Sequence, residues 1–272
     1  MRNPDFLAGR LPGRSVLAVR GAESAHFLHN LLTADIEGLA EGQAGYAALL
    51  TPQGKILSDM LVLRQADGFL IDCAASQRAD LLKKLGLYRL RAKVEIAARD
   101  DLAVHVSPAP ISGGFVDPRS PAIGWRTMAA PEGPEAQGYD AARITLGLAD
   151  SEADLGSCEF FPHEANLDQL GGVSFRKGCY VGQEVVSRME HRGTARSRIL
   201  PVTVEGAAPP KGTEIRAGEK QVGTLLSSAG SDALALIRLD RLAEASGPLL
   251  ADGMGVSVKK PGWVRYDVPG AA

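Results

Sequence analysis

The sequence holds only three cysteines, Cys73, Cys158 and Cys179, and no CxxC pair. An odd number without paired spacing argues against a disulfide framework and against a cysteine-built zinc site, and for a reducing compartment. No apolar run approaches the ~20 residues that span a bilayer. Met1-Arg2-Asn3-Pro4-Asp5 has no apolar h-region, so no signal peptide is expected. Together these absences imply the cytoplasm. Also missing are a Walker-type phosphate loop, a GxGxxG turn, an HExxH pair and a GxSxG elbow. Standard nucleotide-dependent, zincin and serine-hydrolase readings therefore lack support. Formal net charge is −2, which gives no global attraction to nucleic acid or to an anionic membrane. There is no internal repeat and no low-complexity tract.

What is present is ordinary globular composition: 272 residues, 45% apolar and 23% charged, enough for two or three domains. Residues 15–19 read as a strand, and Phe27, Leu28, Leu31 and Leu32 mark one helix face. Thr51-Pro52-Gln53-Gly54 suits a type I turn between strands at 45–50 and 55–63. Phe69-Leu70-Ile71-Asp72-Cys73 predicts another strand. Ser76 is placed to cap a helix that Gly86 stops, and 90–96 returns as a strand. Residues 107–138, rich in Pro and Gly, predict loops around short strands. Helices are expected over 140–148 and 182–190. From 199 to 266 apolar runs alternate with turn residues, which predicts a small β-barrel. The class is α+β. The boundaries are 1–198, split near 100, then 199–266 for the barrel, with a disordered tail at 267–272.

Three clusters carry candidate chemistry. Lys177-Gly178-Cys179-Tyr180-Val181-Gly182-Gln183-Glu184 sets a cysteine between two glycines, beside Arg176 and Lys177 and before a helix. Positive charge and a helix N-terminus favour thiolate; the competing reading is a small buried hydrophobe. Cys73 and Cys158 read as structural. Phe161-Pro162-His163-Glu164 begins a polar stretch in which Glu164 is suited to grip a heterocyclic N–H and amine; the plain alternative is a polar helix start. Arg176, Lys177, Arg188, Arg192, Arg196 and Arg198 face only Glu184 and Glu190. Such a run is a solvated face or an anion site for carboxylate, phosphate or RNA backbone.

The Lys177–Glu184 run resembles the K-G-C-Y-x-G-Q-E signature of the YgfZ-type folate-binding proteins, which include mitochondrial iron–sulfur assembly relatives. Phe161–Glu164, Arg192-Gly193, Arg196, Asp117-Pro118-Arg119, Gly124-Trp125-Arg126, Phe27-Leu28, Thr33-Ala34-Asp35 and Gly54-Lys55-Ile56-Leu57 extend the match along nearly the whole chain. The family is similar in fold to the glycine-cleavage T-protein (aminomethyltransferase) superfamily. That implies a ring of two α+β lobes and a C-terminal barrel around a hole for tetrahydrofolate or a one-carbon derivative. Glu164 then falls on the pterin-binding glutamate and Tyr46 on the cavity wall. Arg196 or Arg198 falls near a folate-contacting arginine, and the basic run, Lys177 included, meets the glutamate tail. The transferases carry an Asp-Asp pair where this chain has Ser58-Asp59. A serine cannot supply the first carboxylate's charge.

The resemblance therefore implies an accessory protein for assembly or repair of iron–sulfur clusters, not a conventional enzyme. By the same resemblance Cys179 is expected to be the reactive thiol, and tRNA modification to be affected indirectly through a tRNA-methylthiolating client. Expected partners are folate and iron–sulfur client or assembly proteins. A resident metal, a stable nucleic-acid complex and membrane contact are not expected, and the chain is expected to be a monomer. The alternatives are a folate-dependent one-carbon transferase using Asp59 or Asp35, and an RNA-binding module using 176–198.

Overall fold

The structure is a computed structural model that describes residues 6–193 and 195–271; the Arg192 side chain also lies outside the described set. The first lobe is an antiparallel sheet of β2 (Arg14–Arg20), β3 (Ala44–Leu50), β4 (Ile56–Gln65), β5 (Gly68–Ala74) and β6 (Glu95–Ala98), in the order β3-β4-β5-β2-β6. Its strands are apolar on both faces. Alternation therefore divides them between two cores. Ala47, Leu49, Met60 and Ile71 face α1 (Ser24–Leu31) and α2 (Arg78–Arg89). Tyr46, Ala48, Leu50 and Leu61 face a second core shared with the rest of the molecule.

Short β1 (Gly9–Arg10) joins β7 (Ala103–Ser107), β8 (Phe115–Val116) and β9 (Trp125–Ala129) in a four-stranded sheet, order β1-β7-β9-β8. Helix α3 (Tyr139–Thr145) and the loops up to α4 (Gln183–Arg192) pack into the shared core. The barrel closes from six strands: β10 (Ser197–Val204), β11 (Glu214–Ala217), β12 (Lys220–Ala229), β13 (Asp232–Arg238), β14 (Leu249–Ala251) and β15 (Met254–Val258), with α5 (Leu239–Ala243) between β13 and β14. Closure pairs β10 with both β13 and β15 and so leaves no free edge. The mixed α+β class and the C-terminal barrel match the expectation.

Three local expectations are corrected. Helix α2 runs through Gly86 to Arg89, because Leu81 and Leu85 are buried one turn apart while Gly86 faces open space. Packing there outweighs the ~1 kcal/mol propensity cost of glycine. The strand expected from Leu90 starts at Glu95, after a turn closed by Ala92 N–H donating to Arg89 O at 2.8 Å. The tail expected to be disordered from 267 packs on the barrel through Val268, which is 5% exposed in its core; Ala272 lies outside the described residues.

Candidate functional site

The segment around Cys179 is held from two sides. On one side it meets the end of α1. Ser174 N–H donates to Thr33 O at 2.9 Å, and the Thr33 hydroxyl donates to Gly172 O at 2.5 Å. Lys177 Nζ donates to the carbonyls of His29, Leu32 (2.7 Å) and Ala34 (3.0 Å). The carbonyls at the end of α1 lack intrahelical partners, so an ammonium there is a natural cap. On the other side the segment meets the β3–β4 turn. Gly182 has φ +80, and a Cβ there would lie 2.5 Å from Thr51 O. Only glycine lets these backbones approach so closely. Between the anchors Tyr180 is buried, its hydroxyl pushed up to about 12 by burial. Cys179 stands exposed, with exposed Phe175 and Arg176 nearby in the chain.

Lys177 was expected to bring positive charge to the thiol and to meet a ligand's tail. Its ammonium is instead committed to three carbonyls. Arg198 is likewise occupied inside the protein. It is 7% exposed, lies 2.6 Å from Asp168 Oδ1, donates to His163 O at 2.6 Å and stacks on Tyr266. Arg196 is exposed. Glu164 is half-buried, and its Oε2 accepts the Phe161 N–H at 2.9 Å. Tyr46 is 3% exposed and donates to Asp59 Oδ2 at 3.0 Å.

Ser58 and Asp59 point to opposite faces of β4. Ser58 pairs with Leu49 on the helix-covered face, whereas Asp59 shares the inter-lobe face with Tyr46. Both Asp59 oxygens are engaged, since Oδ1 accepts the Ser151 hydroxyl. Burial raises its pKa against the pull of Arg14. Asp35 is exposed and lies 3.3 Å from His29.

Sequence reasoning missed the charged network beside Asp59. Arg14 Nε meets Asp72 Oδ1 and Arg126 Nη1 meets Asp72 Oδ2, both at 2.6 Å. Asp117 Oδ2 receives both Arg119 and Arg126 at 2.8 Å, and both arginines donate to the Tyr139 hydroxyl. Asp72 and Asp117 are almost fully buried, so each needs such partners. One signal was available: a charged Asp72 inside the apolar Phe69–Cys73 run implies a buried cation. A cavity of about 410 Å3 opens beside the network, lined by Arg14, Tyr139, Asp140, Asp150 and Glu152. Tyr46, Glu164, Lys177, Cys179, Arg196 and Arg198 do not line it. The side chains expected to hold a folate thus do not converge on that cavity, and four of them, Tyr46, Glu164, Lys177 and Arg198, already have partners within the protein.

Among the described residues, His163, Asp168 and Glu190 offer ligand atoms within 4.8 Å of one another, with His163 Nε2 3.1 Å from Glu190 Oε2. The Arg198 cation on Asp168 makes this an ion-paired cluster, poorly suited to a second cation.

Fold and site together define a T-protein-like chain with an exposed, braced thiol. Residues 15–106 match the GCVT N-terminal domain, and residues 196–266 match the CAF17 C-terminal beta-barrel domain. The human iron-sulfur cluster assembly factor IBA57, mitochondrial, is 32% identical over 88% of this chain and 79% of that protein. The Pyricularia oryzae homologue is 31% identical over 88% and 73%. Glycine cleavage system aminomethyltransferase T from Bartonella henselae superposes with a TM-score of 0.76 at 15% identity, covering 95% of this chain and 86% of that one, which establishes the fold. The chain belongs to the IBA57 family of iron–sulfur cluster assembly factors. The cytoplasmic expectation is corrected: these relatives are mitochondrial proteins. No helix among the described residues is long and apolar enough to cross a membrane.

Proposed function

We propose that this chain supports assembly or repair of iron–sulfur clusters in client enzymes, with Cys179 as the participating thiol. The observation that carries this reading is an exposed cysteine on a segment braced against both α1 and the β3–β4 turn. Bracing fixes where the sulfur is presented, so a partner need not order the loop on docking. One thiol does not hold a cluster, which takes about four ligands. The others come from a client or assembly protein. Changes in tRNA modification follow indirectly, through a tRNA-methylthiolating client. The test is complementation. Cys179→Ala should lose support of iron–sulfur enzyme activity, and Cys158→Ala should keep it. Full support from Cys179→Ala sinks the thiol role.

A second reading adds tetrahydrofolate or a one-carbon derivative as a ligand. It is supported by the half-buried Glu164 carboxylate beside Phe161, of which Oε2 is bonded to the Phe161 N–H. Calorimetric titration with tetrahydrofolate decides it. Saturable binding weakened by Glu164→Gln supports the reading, and no saturable heat removes it.

A further inference from the structure

The far end of α2 carries a surface that the site around Cys179 does not use. From Leu81 to Val94 the chain has five cations, Lys83, Lys84, Arg89, Arg91 and Lys93, and no acid. All five are exposed. Among them stand two leucines that the core does not take: Leu87 is 65% exposed and Leu90 86%. Leu90 is the most exposed large apolar residue described.

Leu90 is also strained. It has φ 44 and ψ −106, at the first central position of the turn closed by Ala92 N–H to Arg89 O. Those angles belong to a type II′ turn, where glycine is the natural occupant. A leucine there costs folding energy and recovers none by burial. Strain kept without internal benefit is a mark of a functional surface. Beside the turn lies a shallow concavity of about 430 Å3, lined by Arg20, Arg89, Arg91, Lys93 and a single acid, Glu95. Neighbouring acids are largely engaged: Asp67 pairs with Arg20 at 3.1 Å, and Glu23 accepts the Lys93 N–H at 2.5 Å. Asp80, one turn before Lys83 and Lys84, is the remaining acid nearby on α2.

We propose that this helix end, with Leu87 and Leu90 protruding through a ring of lysine and arginine, docks on an anionic lipid surface. Exposed aliphatic side chains among lysines match the chemistry of an interfacial segment: the leucines enter the acyl boundary and the cations meet headgroup phosphates. A protein partner is the poorer fit, because lysine is depleted in protein interfaces. RNA is poorer still, since a phosphate backbone has no use for two exposed leucines. The net charge of −2 conceals the patch, because electrostatic attraction to a surface acts within about a Debye length, ~8–10 Å.

The test is co-sedimentation of the full chain with phosphatidylcholine vesicles, with and without phosphatidylglycerol, at low and high salt. Wild type should bind the anionic vesicles, lose binding at high salt and ignore the neutral ones. Leu87→Ser and Leu90→Ser should each weaken binding about tenfold. Replacing Arg89, Arg91 and Lys93 together with alanine should weaken it about a hundredfold. All variants should melt at the wild-type midpoint or above, since the side chains are exposed. Equal binding to both vesicle types overturns the proposal. So does a Leu87→Ser/Leu90→Ser variant that binds like wild type. Single-stranded RNA binding that displaces vesicles and survives the leucine substitutions reassigns the cations to nucleic acid and overturns it too.

Discussion

Lys177→Met isolates the brace behind Cys179. Methionine keeps an aliphatic stem near Tyr180, whose ring lies 5.0 Å from Nζ, and removes the ammonium. Three carbonyls lose their donor: His29, Leu32 and Ala34. A hydrogen bond from a fully buried charged donor contributes ~1.5–3 kcal/mol. Lys177 is only half-buried, so about 1 kcal/mol each is the working value, or ~3 kcal/mol in all. For a chain of this size that lowers the melting midpoint by roughly 6–12 °C in calorimetry. Amide exchange over 173–182 should accelerate more than exchange in the barrel. The pH dependence is specific. Burial lowers Lys177 from 10.5 to about 8, with Asp35 and Glu37 opposing. Between those values the unfolded chain binds more protons than the folded one, so this lysine's contribution to stability rises with pH. The stability gap between wild type and Lys177→Met should therefore widen between pH 8 and 10.5. A loss below about 0.5 kcal/mol at neutral pH would refute the brace. A gap that narrows over that window would show that the carbonyls outweigh burial and hold the lysine pKa up, contradicting the downward shift.

Asp117→Asn should destabilise by about 3–5 kcal/mol in denaturant titration, because it leaves Arg119 and Arg126 buried without their shared carboxylate. Burial pushes the Asp117 carboxyl up, but those two guanidiniums outweigh it and hold it well below 3.8. Its stabilisation is present above that value and lost as pH falls below it, so the variant should show a shallower acid transition. With an aromatic disulfide reagent, exposed Cys158 and Cys179 should react in the native protein. Cys73, pushed up to about 12 chiefly by burial, should react only after unfolding; three equivalents reacting at one native rate would contradict the buried assignment.

Legibility differed between backbone and charge. The hairpin at 51–54 and the barrel from 199 onward were readable because turn residues and alternation are local signals. Gly86 misled because a propensity of ~1 kcal/mol yields to two buried leucines on the opposite face. The Cys179 segment was legible through its glycines, and Gly182 meets Thr51 where only glycine fits. The roles of Lys177 and Arg198 were not legible. Both looked like ligands for an external anion, and the fold gives them carbonyls and Asp168.

The α+β class and the C-terminal barrel could be read from the chain alone, since periodicity and turn chemistry are properties of neighbouring residues. Only the tertiary structure decided which charges face each other. Arg14, Asp72, Asp117 and Arg126 span 112 positions of the chain and are joined by ion pairs of 2.6–2.8 Å, with Asp72 bridging the two arginines. It also decided which leucines the core leaves out. Burial and Coulomb interaction depend on distance in space, and local sequence does not encode that distance.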